Sequence, residues 1–235
     1  SAKKLLADYG RGDDPLVLRA YTFAAAAGAA LGDEELLNEA ERLRADAREA
    51  GLMLGRIEPF HAPRKSWKSV FSAPPRTFNI SGDRVTMGAV RPCGMLNTAL
   101  VVEGEYEVRA RLVRDSEKRM GTAHGIVIAG TLAGDWAIVG IEADGNLGVW
   151  TVRFSGSGAR TRRTETIYLD NPIKPGTDVD VRVHLRRNGR MTIEVEGQPV
   201  KETQLPIEPP PERHVGIFVR DGEMTVKDGV VEIYP

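Results

Sequence analysis

The chain has 235 residues, and its 32 basic and 33 acidic side chains give a formal net charge of -1. This balance gives no general attraction to nucleic acid or to an anionic membrane surface, so neither is an expected partner. Hydrophobic residues at 41% and charged residues at 28% are typical of a globular chain rather than a disordered one.

One cysteine, Cys93, excludes an intrachain disulfide and leaves the redox compartment undetermined. The longest uncharged apolar run, Tyr21 to Leu31, is about half the length that a membrane-spanning helix needs. No secretory signal is present, so the cell compartment stays open. The chain begins with Ser1-Ala2 rather than Met, and we expect it to be part of a longer protein.

Residues 1–52 are predicted to form an α-helical hairpin. Asp13-Asp14-Pro15 is typical of a helix start, Gly32 would end that helix, and Asp33 would cap the next. Apolar residues of the second helix recur at helical spacing: Leu36, Leu37, Ala40, Leu43 and Ala47. The pair resembles one tetratricopeptide-type unit; the alternative is a capping hairpin or the end of a larger helical region.

The second part of the chain is predicted to be all β. Residues 53–77 contain several prolines and would form a transition, and residues 78–235 would form the β domain. Within it, "GEYEVRARLVR" alternates strictly, with Tyr106 and Val108 on one side and Glu105 and Glu107 on the other. Many short strands separated by turns, with no helices between them, predict an antiparallel β-sandwich or jelly roll.

The stretch "RRNGRMTIEVEGQPV" predicts a hairpin that forms part of the sandwich wall. Asn188-Gly189 is a strong signal for a two-residue turn. The following strand places Met191, Ile193 and Val195 on one face, which we expect to be the core face.

Four segments, in this order, resemble the concanavalin A-like lectin/glucanase sandwich in its laminin-G-like form. They are "GEYEV" (104–108), "HGIVI" (124–128), "EGQPV" (196–200) and "VGIFVRDGEMTVKD" (215–228). The chain is similar in particular to the bacterial 3-keto-disaccharide hydrolase domains, also called domain of unknown function 1080. The resemblance covers about residues 65–235 and implies the fold more strongly than any activity.

The related glucanases carry Glu-x-Asp-x-x-Glu or Glu-x-Asp-x-Glu on one strand, where paired carboxylates serve retaining hydrolysis. The nearest approach here is Glu103, Glu105 and Glu107, which lacks the central Asp and continues into Arg109 and Arg111. A solvated charged face explains this pattern more simply, and we assign no catalytic residue.

Four residues are candidates for ligand binding: Trp136, Trp150, Tyr168 and Asp170. Aromatic rings on a sandwich surface stack on sugar rings. Both tryptophans also fit a core position, and Tyr168 with Asp170 also fits a plain turn, so both interpretations stay open.

No zinc-type spacing of His or Cys is present, and no metal site is assigned. Calcium is an alternative, held by turn residues such as Asp135, Asp144, Asp170 and Asn171, although such residues also simply form turns. The stretch "GSGARTRRTET" is interpreted as a solvated arginine loop. Arg160, Arg162 and Arg163 of this loop could contribute to a patch for an acidic glycan.

The sequence favours a non-catalytic binding module that recognises carbohydrate or protein through a lectin-like sandwich. One alternative is a glycoside hydrolase of the 3-keto-disaccharide hydrolase type. Another is a structural domain of a larger signalling or scaffold protein. An incomplete set of catalytic carboxylates favours the first interpretation over the second.

Overall fold

The computed structural model describes residues 30–36, 38, 39, 42, 55–71, 73–114, 123–155, 158–208, 210 and 212–234. Two compact units are distinguished, residues 1–57 with 232–235 and residues 58–231. No helix among the described residues is long and apolar enough to cross a membrane.

In the first unit, Ala30, Leu31 and several residues between Glu34 and Arg42 are helical. Gly32 has a φ of 64°, which is the left-handed conformation that ends a helix. Asp33 Oδ1 accepts a hydrogen bond from the Leu36 N–H at 3.0 Å, which confirms the predicted cap. The remainder of the predicted helical hairpin lies outside the described residues.

Strands dominate the rest of the chain. They are β1 (Gly55–Ile57), β2 (Trp67–Lys68), β3 (Thr77–Ser81), β4 (Arg84–Ala89), β5 (Cys93–Asn97), β6 (Glu105–Arg114), β7 (Ala123–Gly130), β8 (Trp136–Glu142), β9 (Leu147–Ser155), β10 (Gly158–Ile167), β11 (Asp178–Leu185), β12 (Arg190–Val195), β13 (Lys201–Gln204), β14 (His214–Arg220) and β15 (Gly222–Tyr234). Two 3-10 helices, Pro59–His61 and Arg64–Ser66, precede β2.

The strands form two sheets. The first has the order β13-β12-β11-β6-β15-β4-β3, and the second has the order β10-β9-β8-β7-β14-β5-β2. Neighbouring strands pair antiparallel in both sheets, as β11 does with β6 and β12 in the first and β7 with β8 and β14 in the second. The predicted antiparallel β-sandwich is therefore confirmed.

The core side of the first sheet follows the predicted alternation. Tyr106 is fully buried, and its hydroxyl donates a hydrogen bond to the Ile128 carbonyl of the second sheet. Burial raises the pKa of Tyr106 to about 12, so this hydroxyl stays protonated and the link between the sheets persists at physiological pH.

The hairpin at Asn188-Gly189 is the predicted wall. Gly189 has a φ of 81°, and β11 pairs with β12 from Val181↔Val195 to Leu185↔Met191. The three apolar residues of β12, Met191, Ile193 and Val195, are buried.

Two expectations from the sequence are wrong. Glu105 does not belong to a solvated face: it is 5% exposed, and its Oε1 lies 2.9 Å from His184 Nε2. The stretch around Arg160 to Arg163 is not a loop but β10, the edge strand of the second sheet. An edge strand has few neighbours, so most of its side chains are exposed and the apolar alternation that marks a strand is missing.

Candidate functional site

The second sheet is covered on both faces. One apolar cluster consists of Leu96, Ala123, Val127, Trp136, Ile138, Trp150, Val152 and Phe218. All eight belong to the second sheet, and the residues that pack on them come from this sheet or from the segment after β2. This face is therefore the one turned away from the first sheet, and we call it the outer face.

One end of the outer face is filled by aromatic rings. Phe71 packs against Trp136, Phe154 and Phe218, with ring centroids 5.3, 5.4 and 6.1 Å apart. Trp136 is fully buried, and its Nε1–H donates to the Thr131 carbonyl at 2.9 Å. The donor of this indole is satisfied within the protein, so this end of the face is structural.

The opposite end of the outer face carries a buried carboxylate. Glu142 is the last residue of β8 and projects on the same side as Trp136 and Ile138, because side chains alternate along a strand. Its side chain is only 7% exposed, and its Oε2 accepts a 2.7 Å hydrogen bond from Arg163 Nη1. Burial raises the pKa of Glu142, although hydrogen bonds from Arg163 and Thr166 lower it in part.

A β-bulge brings the two partners of Glu142 to one side of β10. Arg163 pairs with Trp150 and Thr166 pairs with Gly148, while the register shifts between Arg163 and Glu165. Residues three positions apart would point to opposite faces of a regular strand. The extra residue, Thr164, restores them to the same face, and bulges are frequent beside functional sites.

Gly148 provides the space in which these groups meet. A Cβ atom at this position would lie 2.3 Å from Glu142 Oε1 and 2.3 Å from Trp150 Nε1. The two polar atoms are therefore separated by no more than twice that distance. Trp150 is 6% exposed, and its Nε1–H has no hydrogen-bond acceptor among the described residues. We call Glu142, Gly148, Trp150, Arg163 and Thr166 the Glu142 site.

The turn after β8 is ordered by Asp144. Its carboxylate accepts hydrogen bonds from the backbone N–H and the side-chain Nδ2 of Asn146, both at 3.0 Å. Burial raises the pKa of Asp144, but these two hydrogen bonds and the charge of Arg163 outweigh it and leave the pKa lowered. Asn146 Oδ1 in turn accepts from the Leu169 N–H at 3.0 Å, which fixes the segment that carries Tyr168.

The four ligand-binding candidates lie in two settings. Trp136 and Trp150 are buried in the outer face and present no ring face to solvent. Tyr168 is 73% exposed just beyond the end of β10. Asp170 is also exposed, and its backbone N–H donates to Gln198 Oε1. Of the four, only Trp150 belongs to the Glu142 site.

Glu142 was missed in the sequence because "WAIVGIE" reads as a continuous apolar strand. Its one available signal is phase: the acid is an even number of residues from Trp136 and Ile138, on a strand that is buried throughout. A carboxylate in phase with buried residues has to find partners, and it therefore marks a polar site.

The structure does not assemble the turn acids that calcium would need. In the described part of the chain, no group of three or more His, Cys, Asp or Glu side chains is placed to hold a metal ion. Asp135 lies 3.2 Å from Arg153, and Asp144 is engaged by Asn146.

The sequence matches no family model and none of the curated proteins compared with it. Solved structures with the same architecture do match. A carbohydrate-binding module, CBM66 of Bacillus subtilis, superposes with a TM-score of 0.52 and 12% identity, over 71% of this chain and 95% of that one. The carbohydrate recognition domain of Emp46p gives 0.51 and 7% identity, over 77% and 98%. A structure from Parabacteroides distasonis that is described as a glycosyl hydrolase gives a TM-score of 0.51 and 10% identity, over 77% of this chain and 94% of that one. At these identities the likeness establishes the β-sandwich fold alone.

Proposed function

We propose that this protein is a carbohydrate-binding module and that the Glu142 site holds part of a saccharide. The observation that carries the proposal is the convergence of a buried carboxylate and a buried indole N–H over Gly148. Sugar hydroxyls both donate and accept hydrogen bonds, so they match such a mixed set. Glu142 would accept from hydroxyls, while Trp150 and Arg163 would donate to them.

Tyr168 and Asp170 extend the proposed site at the surface. The exposed ring of Tyr168 is suited to stack on a sugar ring, because an aromatic face packs against the apolar face of a pyranose. β10 and β8 are separated by β9, which places Tyr168 about 10 Å from Glu142 across the sheet. That spacing suits a ligand longer than one ring. The burial of Trp150 gives it the role of floor rather than of stacking platform.

The fold agrees with this proposal without deciding it. Two of the structures with the same architecture are named as a carbohydrate-binding module and a carbohydrate recognition domain. The same fold also occurs in a structure described as a glycosyl hydrolase. The choice between carbohydrate binding and hydrolysis therefore depends on the chemistry of the site.

The test is a printed array of neutral and acidic glycans, probed with native protein, with heat-denatured protein and with two variants. Glu142→Gln removes the charge of the proposed site. Glu194→Gln removes an exposed carboxylate of β12, which pairs with Arg182 on the first sheet, and is the matched control. We expect specific hits for the native protein and the control, and at least a tenfold loss for Glu142→Gln. Hits that are equal for both variants would place the binding surface elsewhere.

A second candidate is glycoside hydrolysis, favoured by one observation. Glu142 and Asp144 interact electrostatically, yet the pKa of Glu142 is raised and that of Asp144 is lowered. Carboxyl groups whose environments separate their pKa values in this way suit a general acid and an ionised partner. Incubating array hits with the protein and separating the products by chromatography tests this. If the native protein cleaves a hit and Glu142→Gln and Asp144→Asn each abolish this cleavage, the protein is an enzyme as well as a binding module.

A further inference from the structure

Arg220 lies beside the Glu142 site on the outer face. It is the last residue of β14 and pairs with Ala123, which in turn pairs with Glu142 on β8. Directly paired residues project on the same side of a sheet, so Arg220 and Glu142 share the outer face. The guanidinium carbon of Arg220 lies 5.9 Å from the centroid of the Trp150 ring.

Trp150 connects the two groups. Its Nε1 is close to Glu142 Oε1 above Gly148, and its ring lies within cation–π distance of the Arg220 guanidinium. A single ligand that lies over this end of the outer face would therefore reach Glu142 on one side of the indole and Arg220 on the other.

Within the part of the chain that the structure describes, the charge of Arg220 has no acidic partner. The Glu142 carboxylate is already matched by Arg163 at 2.7 Å. For Arg220, which is half-buried, the described residues supply neither a hydrogen-bond acceptor nor an acidic partner; its guanidinium lies over the Trp150 ring. By contrast, buried Arg213 donates to the carbonyls of Pro210 and Gly104. A guanidinium that lies over a tryptophan and has no acceptor among the described residues is suited to bind an anion through two parallel hydrogen bonds.

We propose that the Glu142 site takes an acidic saccharide, and that Arg220 binds the carboxylate or sulfate of that sugar. This inference rests on the proposed carbohydrate-binding function and specifies its substrate class. The anionic group faces Arg220 over the Trp150 ring, while hydroxyls of the same or the next ring reach Glu142 and Arg163.

The experiment compares matched pairs of sugars by saturation-transfer NMR and titration calorimetry. Methyl β-D-glucuronide and methyl α-D-galacturonide are the carboxylate probes, and D-glucose 6-sulfate is the sulfate probe. Methyl β-D-glucoside and methyl α-D-galactoside are the neutral counterparts. We expect the acidic probes to bind at least tenfold more tightly than the neutral ones. The relative affinities of uronides and sulfate identify which anion the site prefers. Raising the salt concentration should weaken only the acidic probes.

Three variants test whether Arg220 causes the preference for the acidic probes. Arg220→Gln should lose at least tenfold in affinity for the acidic probes and stay within twofold for the neutral ones. Arg220→Lys keeps the charge without the planar fork and should retain an intermediate preference. Arg160→Gln is the control, because Arg160 is an exposed arginine of β10 that pairs with Arg153 and projects away from the Glu142 side.

The outcomes separate the two proposals. If the native protein binds neutral and acidic probes equally, or if Arg220→Gln keeps the acidic preference, the role of Arg220 is overturned and carbohydrate binding stands. If neither class binds, here or on the glycan array, carbohydrate binding itself fails and the role of Arg220 fails with it. Should circular dichroism show that Arg220→Gln does not fold, the Arg220→Lys variant decides the matter, because an unchanged acidic preference would overturn the proposal.

Discussion

The ion pair between Glu142 and Arg163 spans an intervening strand: the two residues belong to β8 and β10, and β9 lies between them. The strand that they cross contributes Gly148 beneath Glu142 Oε1. The absence of a side chain at this one position allows a carboxylate to lie across β9. The Glu142 site therefore depends on a residue that has no side chain to contribute.

Gly148→Ala should disrupt the site while leaving the fold in place. The added Cβ would lie 2.3 Å from both Glu142 Oε1 and Trp150 Nε1, so both side chains have to move. We expect a loss of about 1–3 kcal/mol in the free energy of unfolding, which is typical of overpacking, and at least a tenfold loss of glycan binding. Urea unfolding and the glycan array measure these two effects.

Gly94→Ala is the matched control for that variant. It lies at the aromatic end of the same face, where a Cβ would come 2.3 Å from Trp136 Cζ3. A similar loss of stability with retained glycan binding would assign binding to the Glu142 end. Equal loss of binding in both variants would show that Gly148 acts only through general packing.

Glu142→Gln should change how stability depends on pH. The raised pKa of Glu142, caused first by burial, means that the folded state holds this proton more strongly than the unfolded state does. The stability contributed by the protonated form is complete below the ordinary value of 4.5 and is lost as pH rises through the folded-state pKa. The variant should therefore gain stability relative to the native protein between about pH 4 and pH 7. Urea unfolding at both pH values tests this, and a constant difference would contradict it.

Asp144→Asn should have the opposite effect. The pKa of Asp144 is lowered, because hydrogen bonds from Asn146 and the charge of Arg163 outweigh the effect of burial. The ionised carboxylate therefore adds stability that is present above the ordinary value of 3.8 and is lost as pH falls through the folded-state pKa. Relative to the native protein, the variant should be less stable at pH 7 than at pH 3, measured by the same unfolding series. A loss that is larger at pH 3 would show that the turn, and not the charge, determines the effect.

Glu105→Gln tests a position where the sequence was misleading. An acid that alternates with core residues is expected to be solvated, and substitution at such a site changes stability by less than about 0.5 kcal/mol. Glu105 is instead buried against His184. Weakening this contact should cost about 0.5–1.5 kcal/mol, the range for a typical hydrogen bond. Glu194→Gln, at an exposed pair, should stay below about 0.5 kcal/mol in the same thermal unfolding series, and equal values for the two variants would argue that Glu105 is effectively solvated.

The sandwich was predictable because its information is local. A strand with one face in the core is indicated by alternating apolar residues such as Tyr106 and Val108, and a tight turn is indicated by glycine. Gly189 adopts a positive φ in the turn where the sequence predicts it. These signals establish the sheets without any knowledge of which strands become neighbours.

The Glu142 site was not predictable because it depends on phase and on partners that are distant in sequence. β8 is buried on both faces, so alternation does not reveal the side on which Glu142 lies. β10 is an edge strand, and its sequence resembles that of a loop. The bulge at Thr164 then brings Arg163 and Thr166 to the same face of the strand. No feature of the sequence "RTRRTET" indicates where the extra residue falls.

Ile193→Ala tests the core face of the hairpin at Asn188-Gly189. Ile193 is 1% exposed and pairs with Val183 on β11. Removing its side chain leaves a cavity in a packed sheet interface, so the free energy of unfolding should fall by about 2–5 kcal/mol. Thr192→Ala, at the adjacent half-buried position that faces away from the core, should cost much less. Urea unfolding of both variants checks the assignment: a near-neutral Ile193→Ala with a costly Thr192→Ala would mean that β12 turns its other face to the core.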